Sequence, residues 1–425
     1  MLDIQFIRDN PELLQQVARL KGIDISIEEL LSVDKQKLRL LHQTEQLRQQ
    51  RNRLSKLIPQ LDAENQADEI VQTKEEVRQI NVELQQIESR RTVIEHAFEA
   101  LMLLVPNVVS PDTPIGATDA DNVEVRRVGE PTSFDFAPKD HVALAETLNL
   151  IDIQRGIKVA GTRGYFLRDA GLLLHRAVQQ LALDLLSARG FTIMDVPLIV
   201  REEALLHTGF FPTGRDQTYK LENEQKWLVG TSEVPLVSYY SNEIVNVAEP
   251  IRLAAASYSF RREVGSAGRD VRGLYRVHQF AKVEQVVICR NDRDVSEQVF
   301  AEITKNAEDL VQLLELPYRI VAVCTGDLSQ KNYKQYDIET WMPSRKNYGE
   351  THSSSILLDF QARRSNIRYR DASGRLQFCH TLNNTAVATP RILIPLLENH
   401  QRADGSIHIP KALRPYMNGR EELRQ

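Results

Sequence analysis

Residues 260–284 read FRREVGSAGRDVRGLYRVHQFAKVE, which puts arginines at 261, 262, 269, 272 and 276 and glycines at 265, 268 and 273 into one short stretch. A solvated helix does not tolerate that much glycine, and a plain surface loop does not need that much arginine. The stretch reads as a strand ending in Arg261 and Glu263, a mobile basic loop VGSAGRDVRG, and a returning strand RVHQFAKVE. An arginine at the end of a rigid strand holds a phosphate bidentately. Phe280, two residues from Lys282, offers a ring face to a base, and Glu263 can accept hydrogen bonds from an amine. An arginine-rich hairpin with a purely structural role stays open from local chemistry alone.

A second pattern, HTLNNTAVATPRILIPLLENH, begins at His380. Polar residues give way to small ones, which let a ligand approach the backbone. Arg391 then precedes an apolar helix, and a capped helix is an equally good reading. His278 reads as a structural histidine, and no Ser/His/Asp or Cys/His constellation is present. No G-x-x-x-x-G-K-[ST] loop or G-x-G-x-x-G fingerprint occurs, so nucleotide binding by those routes is unsupported. Cys289, Cys324 and Cys379 lie far apart without a CxxC spacing. Neither a disulfide framework nor a zinc site is expected, and a reduced, cytoplasmic setting fits.

The elements that must position these residues fall into two kinds. The first hundred residues are nearly free of Gly and Pro. Apolar residues recur every seven at Val33, Leu40, Leu47, Leu54 and Leu61. After a polar patch following Pro59 they recur again at Ile70, Val77 and Leu84, with Ile80, Ile87, Ile94, Phe98 and Leu101. Two such helices joined by a turn predict a long antiparallel hairpin, an arm without a globular core of its own. Residues 105–125 carry three prolines and read as a linker. Beyond them lie an amphipathic helix at 172–188, ended by Gly190, and short β-like runs: FTIMDVPLIV, KWLVG, RLAAASYSF, KVEQVVICR, YRIVAV, SSSILLDFQ and NIRYR. Strands in succession with helices before, between and after them predict an α+β fold: an antiparallel β-sheet with flanking helices. The expected organisation is a helical domain at 1–104, the linker at 105–125 and a catalytic domain at 126–425.

The net charge of −5 argues against wholesale coating of nucleic acid, so a polyanion must meet a local patch. One candidate is the run Lys35, Lys37, Arg39, Arg48, Arg51, Arg53 and Lys56, which is accompanied only by Glu45. It reads either as a solvated coiled-coil face or as a phosphate-binding stripe. No apolar run is long enough to span a membrane, and none is expected to.

Together the patterns resemble class II aminoacyl-tRNA synthetases: the helix followed by GFTIMDVPLIV resembles motif 1, FRRE with its hairpin motif 2, and the small-residue run ending in Arg391 motif 3. GTSEVPL (230–236), RVHQFAKVE (276–284), YGETHSSSILLDFQARRSNIRYR (348–370) and HTLNNTAVATPR (380–391), in this order behind a coiled-coil arm, are similar to the seryl-tRNA synthetase family over essentially the whole chain. The resemblance implies activation of L-serine by ATP with Mg2+ and transfer of the seryl group to serine tRNA, with selenocysteine tRNA as a further substrate the sequence leaves open. It implies an ATP site of Arg261, Arg262, Glu263, Val277, Phe280, Glu350, Thr351, His352, Ser353 and Arg391. Glu350 and Ser353 would hold the magnesium, and Arg261 and Arg391 would be the catalytic cations. It implies a serine site of Thr231, Ser232, Glu233, Arg261, Glu284, Asn383 and Thr385, and tRNA contacts on the arm at Arg48, Arg51, Arg53 and Lys56. A homodimer is implied as well. A coiled-coil scaffold protein, the reading from a different class, would account for the first 104 residues and for nothing after 170.

Overall fold

The computed structural model describes residues 1–265 and 273–425. The tip of the expected basic loop, 266–272, lies outside the described residues. The chain divides into two compact units: Leu2–Arg19 with Ile23–Val105, and Met1, Leu20–Gly22 and Pro106–Gln425.

In the smaller unit, helices α1 (Ile4–Asp9) and α2 (Pro11–Leu20) precede α3 (Ile27–Ala63) and α4 (Ala67–Leu104). Ser26 caps α3 by accepting from the Glu29 amide at 3.1 Å, and Glu28 and Glu29 sit in the first turn, where the helix dipole favours negative charge. At ~1.5 Å per residue α3 is about 55 Å long. It runs through Pro59 to Ala63, and the turn to α4 falls at 64–66, within the polar patch after Pro59. A proline removes one backbone bond and crowds the carbonyl four residues back, and here it falls within the last turn and a half, so the helix loses little. The heptad residues Leu40, Leu61, Leu84, Ile80 and Ile87 are buried, whereas Val33, Leu47, Leu54 and Val77 are half-buried. Two helices alone cover only one stripe of each other. Asp34 is buried beside that stripe and is held by Arg8 at 2.7 Å.

In the larger unit, the described residues form an eight-stranded sheet from β1 (Val123–Val128), β2 (Thr192–Met194), β3 (Ile251–Phe260), β4 (Gln279–Cys289), β5 (Tyr318–Ala322), β6 (Lys334–Met342), β7 (Asn347–Leu358) and β8 (His380–Thr389), in the order β1-β5-β6-β7-β8-β4-β3-β2. Every pairing is antiparallel except that of β2 with β3. Helices α5 (Asp169–Ala188) and α6 (Arg293–Leu313) cover one face, packing Leu174, Val178, Ile303 and Leu310 against Val283 and Val287 of β4. Side chains two apart on a strand share a face. Val286 and Ile288 therefore point the other way, into a smaller cluster with Leu236 and Val237. Phe280, Lys282 and Glu284 lie on that same face.

Three expected runs are divided differently. FTIMDVPLIV is split: after β2 the chain breaks at Pro197, which cannot donate to a ladder, and Ile199–Arg201 pairs separately with Lys226–Leu228. SSSILLDFQ is a strand only to Leu358, and Phe360–Ser365 is helical. The polar HTLNNT is itself the first half of β8. β1 begins at Val123, inside the proline-rich stretch, because its residues find a partner in β5 that no local pattern announces. No helix among the described residues is long and apolar enough to cross a membrane.

Candidate active site

Strands β4, β7 and β8 supply the floor of a cleft of about 520 Å³ in which both sequence patterns meet. At the end of β3, Arg261 lies over the Phe280 ring, 5.2 Å from its centroid, and its Nε donates to the Gly230 carbonyl at 3.2 Å. Burial pulls this guanidinium down from its ordinary value, Glu263 offsets that, and Arg391 adds to it. His278 donates its Nδ1 hydrogen to the Arg261 carbonyl at 3.0 Å, and the Arg261 amide returns a bond to the His278 carbonyl at 3.0 Å. The histidine thus anchors the arginine's backbone, as the structural reading of HQF expected. Glu263 takes a positive φ of 52°, and its carboxylate accepts from Arg276 at 3.2 Å. Val277 is buried in the cleft wall, and Arg262 points to solvent.

Arg391 enters from the chain just after β8. It lies 4.5 Å from the Tyr275 centroid and donates to the Tyr275 carbonyl at 3.1 Å and to the Glu350 carboxylate at 3.3 Å. Arg261 and Arg391 are thus two cations lining one cleft. Glu350 is half-exposed and Thr351 is buried in the lining. His352 is buried and hydrogen-bonded to Thr351 at 2.8 Å; burial first, then Arg391, pushes it down to about 3, so it is a neutral imidazole. Ser353 stands beside Asp337, a residue the motifs did not signal. Burial, and next the charge of Glu350, raise the Asp337 carboxyl well above the usual range.

Of the residues expected to bind serine, Glu284, Asn383 and Thr385 meet at the β4–β8 pairing, where Thr385 lies opposite Glu284. Glu284 is fully buried; its Oε1 accepts from Asn383 at 3.2 Å, and its Oε2 accepts from Thr385 at 3.3 Å and Lys282 at 2.5 Å. The adjacent asparagines of NNT face opposite sides: Asn384 donates to Ser354 at 2.6 Å in a buried network behind the sheet, which gives Ser354 the structural role. Asn383 Oδ1 and Ser232 Oγ are buried without a hydrogen-bond partner among the described residues. Thr231 accepts from the Glu233 amide at 3.2 Å. Glu233 is buried, and its Oε1 is taken by Lys331 at 2.6 Å and Gln361 at 2.7 Å. Of the expected serine-site residues, Arg261 and Thr385 are among the described residues lining the cleft, and Thr231, Ser232, Glu233, Glu284 and Asn383 are not. Sequence reasoning left Tyr275, Lys331 and Lys282 without roles. Lys282 alone carried a usable signal: it shares a strand face with Phe280 and Glu284.

On helix α3, Arg48, Arg53 and Lys56 are exposed and Arg51 is half-buried. Arg48 pairs with Glu88 of α4 at 2.7 Å and Arg51 donates to Asn52 at 3.2 Å. Lys37 lies over Phe98, 3.4 Å from its centroid.

An antiparallel sheet that presents an arginine from a strand end and a second from a strand-to-helix junction to one cleft is the arrangement of a class II aminoacyl-tRNA synthetase core. The tRNA synthetase class II core domain model (G, H, P, S and T) matches residues 218–400, and the seryl-tRNA synthetase N-terminal domain model matches 1–109. The chain is 46% identical to the serine–tRNA ligase of Deinococcus radiodurans, with 100% of this chain and 99% of that protein covered. It is 42% identical to that of Thermomicrobium roseum, covering 100% and 95%. Its fold matches the seryl-tRNA synthetase of Pyrococcus horikoshii, solved with ATP, at a TM-score of 0.92 and 35% identity over 100% and 99% of the two chains. The chain belongs to the seryl-tRNA synthetase family.

Proposed function

We propose that the protein joins L-serine to ATP as seryl-adenylate, releasing pyrophosphate, and then transfers the seryl group to the 3′ end of serine tRNA. The observation that carries this reading is the placement of Arg261, Phe280, Arg391 and Thr385 in one cleft, with Thr385 bonded to the buried Glu284 behind it. Arg261, Arg391 and Phe280 suit a nucleotide triphosphate; Glu284, Asn383 and Thr385 suit a small hydroxyl-bearing amine. The unpartnered Asn383 Oδ1 supports it, since a buried acceptor without a donor is costly until a ligand supplies one.

In the first step the serine carboxylate oxygen attacks the α-phosphorus of ATP as the bond to pyrophosphate breaks. The nucleophile is already an anion, so no protein base is required. What the step needs is in-line positioning and neutralisation of two approaching anions. Arg261 serves the α-phosphate and the carboxylate, and Arg391 the far phosphates. In the second step a hydroxyl of the tRNA's terminal ribose attacks the acyl carbon and AMP leaves. Arg262, Glu263, Val277 and Thr351 belong to the nucleotide's surroundings, and Thr231, Ser232 and Glu233 to those of the amino acid.

Magnesium fits the oxygen donors Glu350 and Ser353. These are hard ligands, beside an Asp337 whose carboxyl is raised by burial first and then by the charge of Glu350. Bound there with ATP, it supplies neutralisation of phosphate charge. We assign residues 1–104 to tRNA binding through Arg48, Arg51, Arg53 and Lys56, and 126–425 to catalysis. A homodimer is supported by the exposed apolar Leu172 on α5 and Ile193 on β2, and a cytoplasmic setting by three free, buried cysteines. The deciding experiment is pyrophosphate exchange into ATP across a panel of amino acids. Serine-dependent exchange is expected, and exchange driven equally by several others rejects the reading.

A further inference from the structure

Phe280, Lys282 and Glu284 project from one face of β4. On the functional reading above, Phe280 meets the adenine and Glu284 the serine hydroxyl, and Lys282 between them has no part. Yet Lys282 is not a surface lysine. Its side chain is 7% exposed, and its Nζ stands 2.5 Å from Glu284 Oε2 and 3.4 Å from Thr385 Oγ1. It lines the cleft itself.

The three groups close a triangle with a fixed direction. Lys282 donates to both others, and a lysine ammonium has no acceptor. The Thr385 oxygen therefore accepts from Lys282, and its single hydrogen goes to Glu284 Oε2 at 3.3 Å. Glu284 Oε2 is thereby filled, while Oε1 takes one bond from Asn383 and keeps one lone pair open. What remains open in the cluster is acceptor capacity only: Glu284 Oε1, the second lone pair of Thr385, which lines the cleft, and Asn383 Oδ1. A ligand hydroxyl satisfies it, and a methyl leaves it unpaired.

Among the described residues no neighbour can replace the ammonium. Lys331 and Arg261 are described cations within electrostatic reach of Glu284. Lys331 is committed to Glu233 at 2.6 Å, and Arg261 is anchored at Gly230 and lies over Phe280. A buried carboxylate stripped of its cation is costly and takes up a proton, which would turn the acceptor into a donor.

We propose that Lys282 is a specificity-positioning residue, which fixes Glu284 and Thr385 as acceptors toward the hydroxyl of the bound amino acid without touching the substrate. The proposal rests on the serine-activating reading and is tested apart from it. Pyrophosphate exchange is measured with serine and with high concentrations of alanine, for the full-length protein and for Lys282→Met and Lys282→Arg. Fold is checked by circular dichroism and melting. In Lys282→Met the KM for serine rises roughly 10- to 100-fold, the scale of one charged hydrogen bond. The serine-over-alanine ratio of kcat/KM falls by the same factor, the KM for ATP holds, and Lys282→Arg recovers most of the ratio.

Removing the lysine burdens the fold with an unpaired buried charge, so Lys282→Met is also made in a Glu284→Gln background. There the further loss on serine vanishes if Lys282 acts through Glu284. Equal losses for serine and alanine, a fall confined to kcat, or an undiminished loss in the Gln background each overturn the proposal while leaving serine activation standing. Absence of serine-dependent exchange in the unaltered protein overturns both.

Discussion

The cleft and the long helix α3 both carry concentrated charge, under opposite conditions. Glu284 is 1% exposed against Lys282 at 7%, and Glu233 is 3% exposed against Lys331 at 10%. Arg48 and Glu88, the pair tying the basic run to α4, are 50% and 43% exposed. Removing one partner of a buried pair costs roughly 3–5 kcal/mol, because the other charge is stranded. The exposed pair is worth about 0.2–1 kcal/mol, screened further by salt. Charge in the cleft is therefore fixed in place and suited to discriminating between ligands that differ by one group. Charge on α3 is cheap to hold and can be surrendered to a phosphate, which suits binding a large polyanion.

The sharpest test of that contrast is selectivity. A site built to accept from a hydroxyl is expected to reject alanine by about 10⁴ in kcat/KM, since its acceptors would be left unpaired. Comparable exchange with alanine and serine would show that the buried cluster reads nothing. Next come the cleft cations. Arg261→Ala and Arg391→Ala are each expected to lower exchange by roughly 10²- to 10³-fold, as removal of one preorganised charged donor does, with melting temperature little changed. Near-normal exchange from either variant would move the phosphates elsewhere.

A smaller effect is expected from the exposed region. Replacing Arg48, Arg51, Arg53 and Lys56 with Gln should leave serine-dependent exchange intact, because the described residues lining the cleft all belong to the other unit. tRNA affinity should fall, and the log–log salt slope of binding should drop by roughly 0.7 to 0.9 for each phosphate that is no longer neutralised. An unchanged slope would leave the run a solvated face, the bland reading its composition always allowed.

The smallest effect concerns Asp337. Its folded-state carboxyl is raised well above the unfolded value by burial and by Glu350. The folded state therefore holds the proton more tightly, and stability present at low pH is lost as pH rises through the folded value. Asp337→Asn should flatten that decline, raising the melting temperature by a few degrees at pH 8 and little at pH 4, on the scale of about 1 kcal/mol per 4–8 °C or less in a chain of this size. Parallel curves for the two proteins would place the raised carboxyl elsewhere.

The strands RLAAASYSF and KVEQVVICR and the two long helices were legible because apolar periodicity and the scarcity of Gly and Pro act locally. The division of FTIMDVPLIV was less so. Pro197 marked a break, but only the partners of each half, β3 for one and Lys226–Leu228 for the other, assign them to different sheets. Of the candidate site, Arg261, Phe280 and Arg391 could be named from residue type and order, and Glu284 and Thr385 only through the family resemblance. Lys331 could not, because its partner Glu233 lies nearly a hundred residues earlier and nothing near it in the chain marks a buried cation.

Residue order by itself determined which groups share a strand face, since alternation is a property of the extended backbone. Phe280, Lys282 and Glu284 were bound to point one way wherever β4 was placed. It also determined that α3 would bear a basic run that its own turns do not neutralise. Tertiary structure decided what those groups meet. Register between β4 and β8 sets Thr385 opposite Glu284. The antiparallel return of α4 brings Glu88 to Arg48. Burial then makes the Lys282–Glu284 pair a permanent fixture of the cleft while leaving the arm's charges in water. Local sequence sets direction along the chain, but the desolvation that gives a charge its strength depends on everything packed around it.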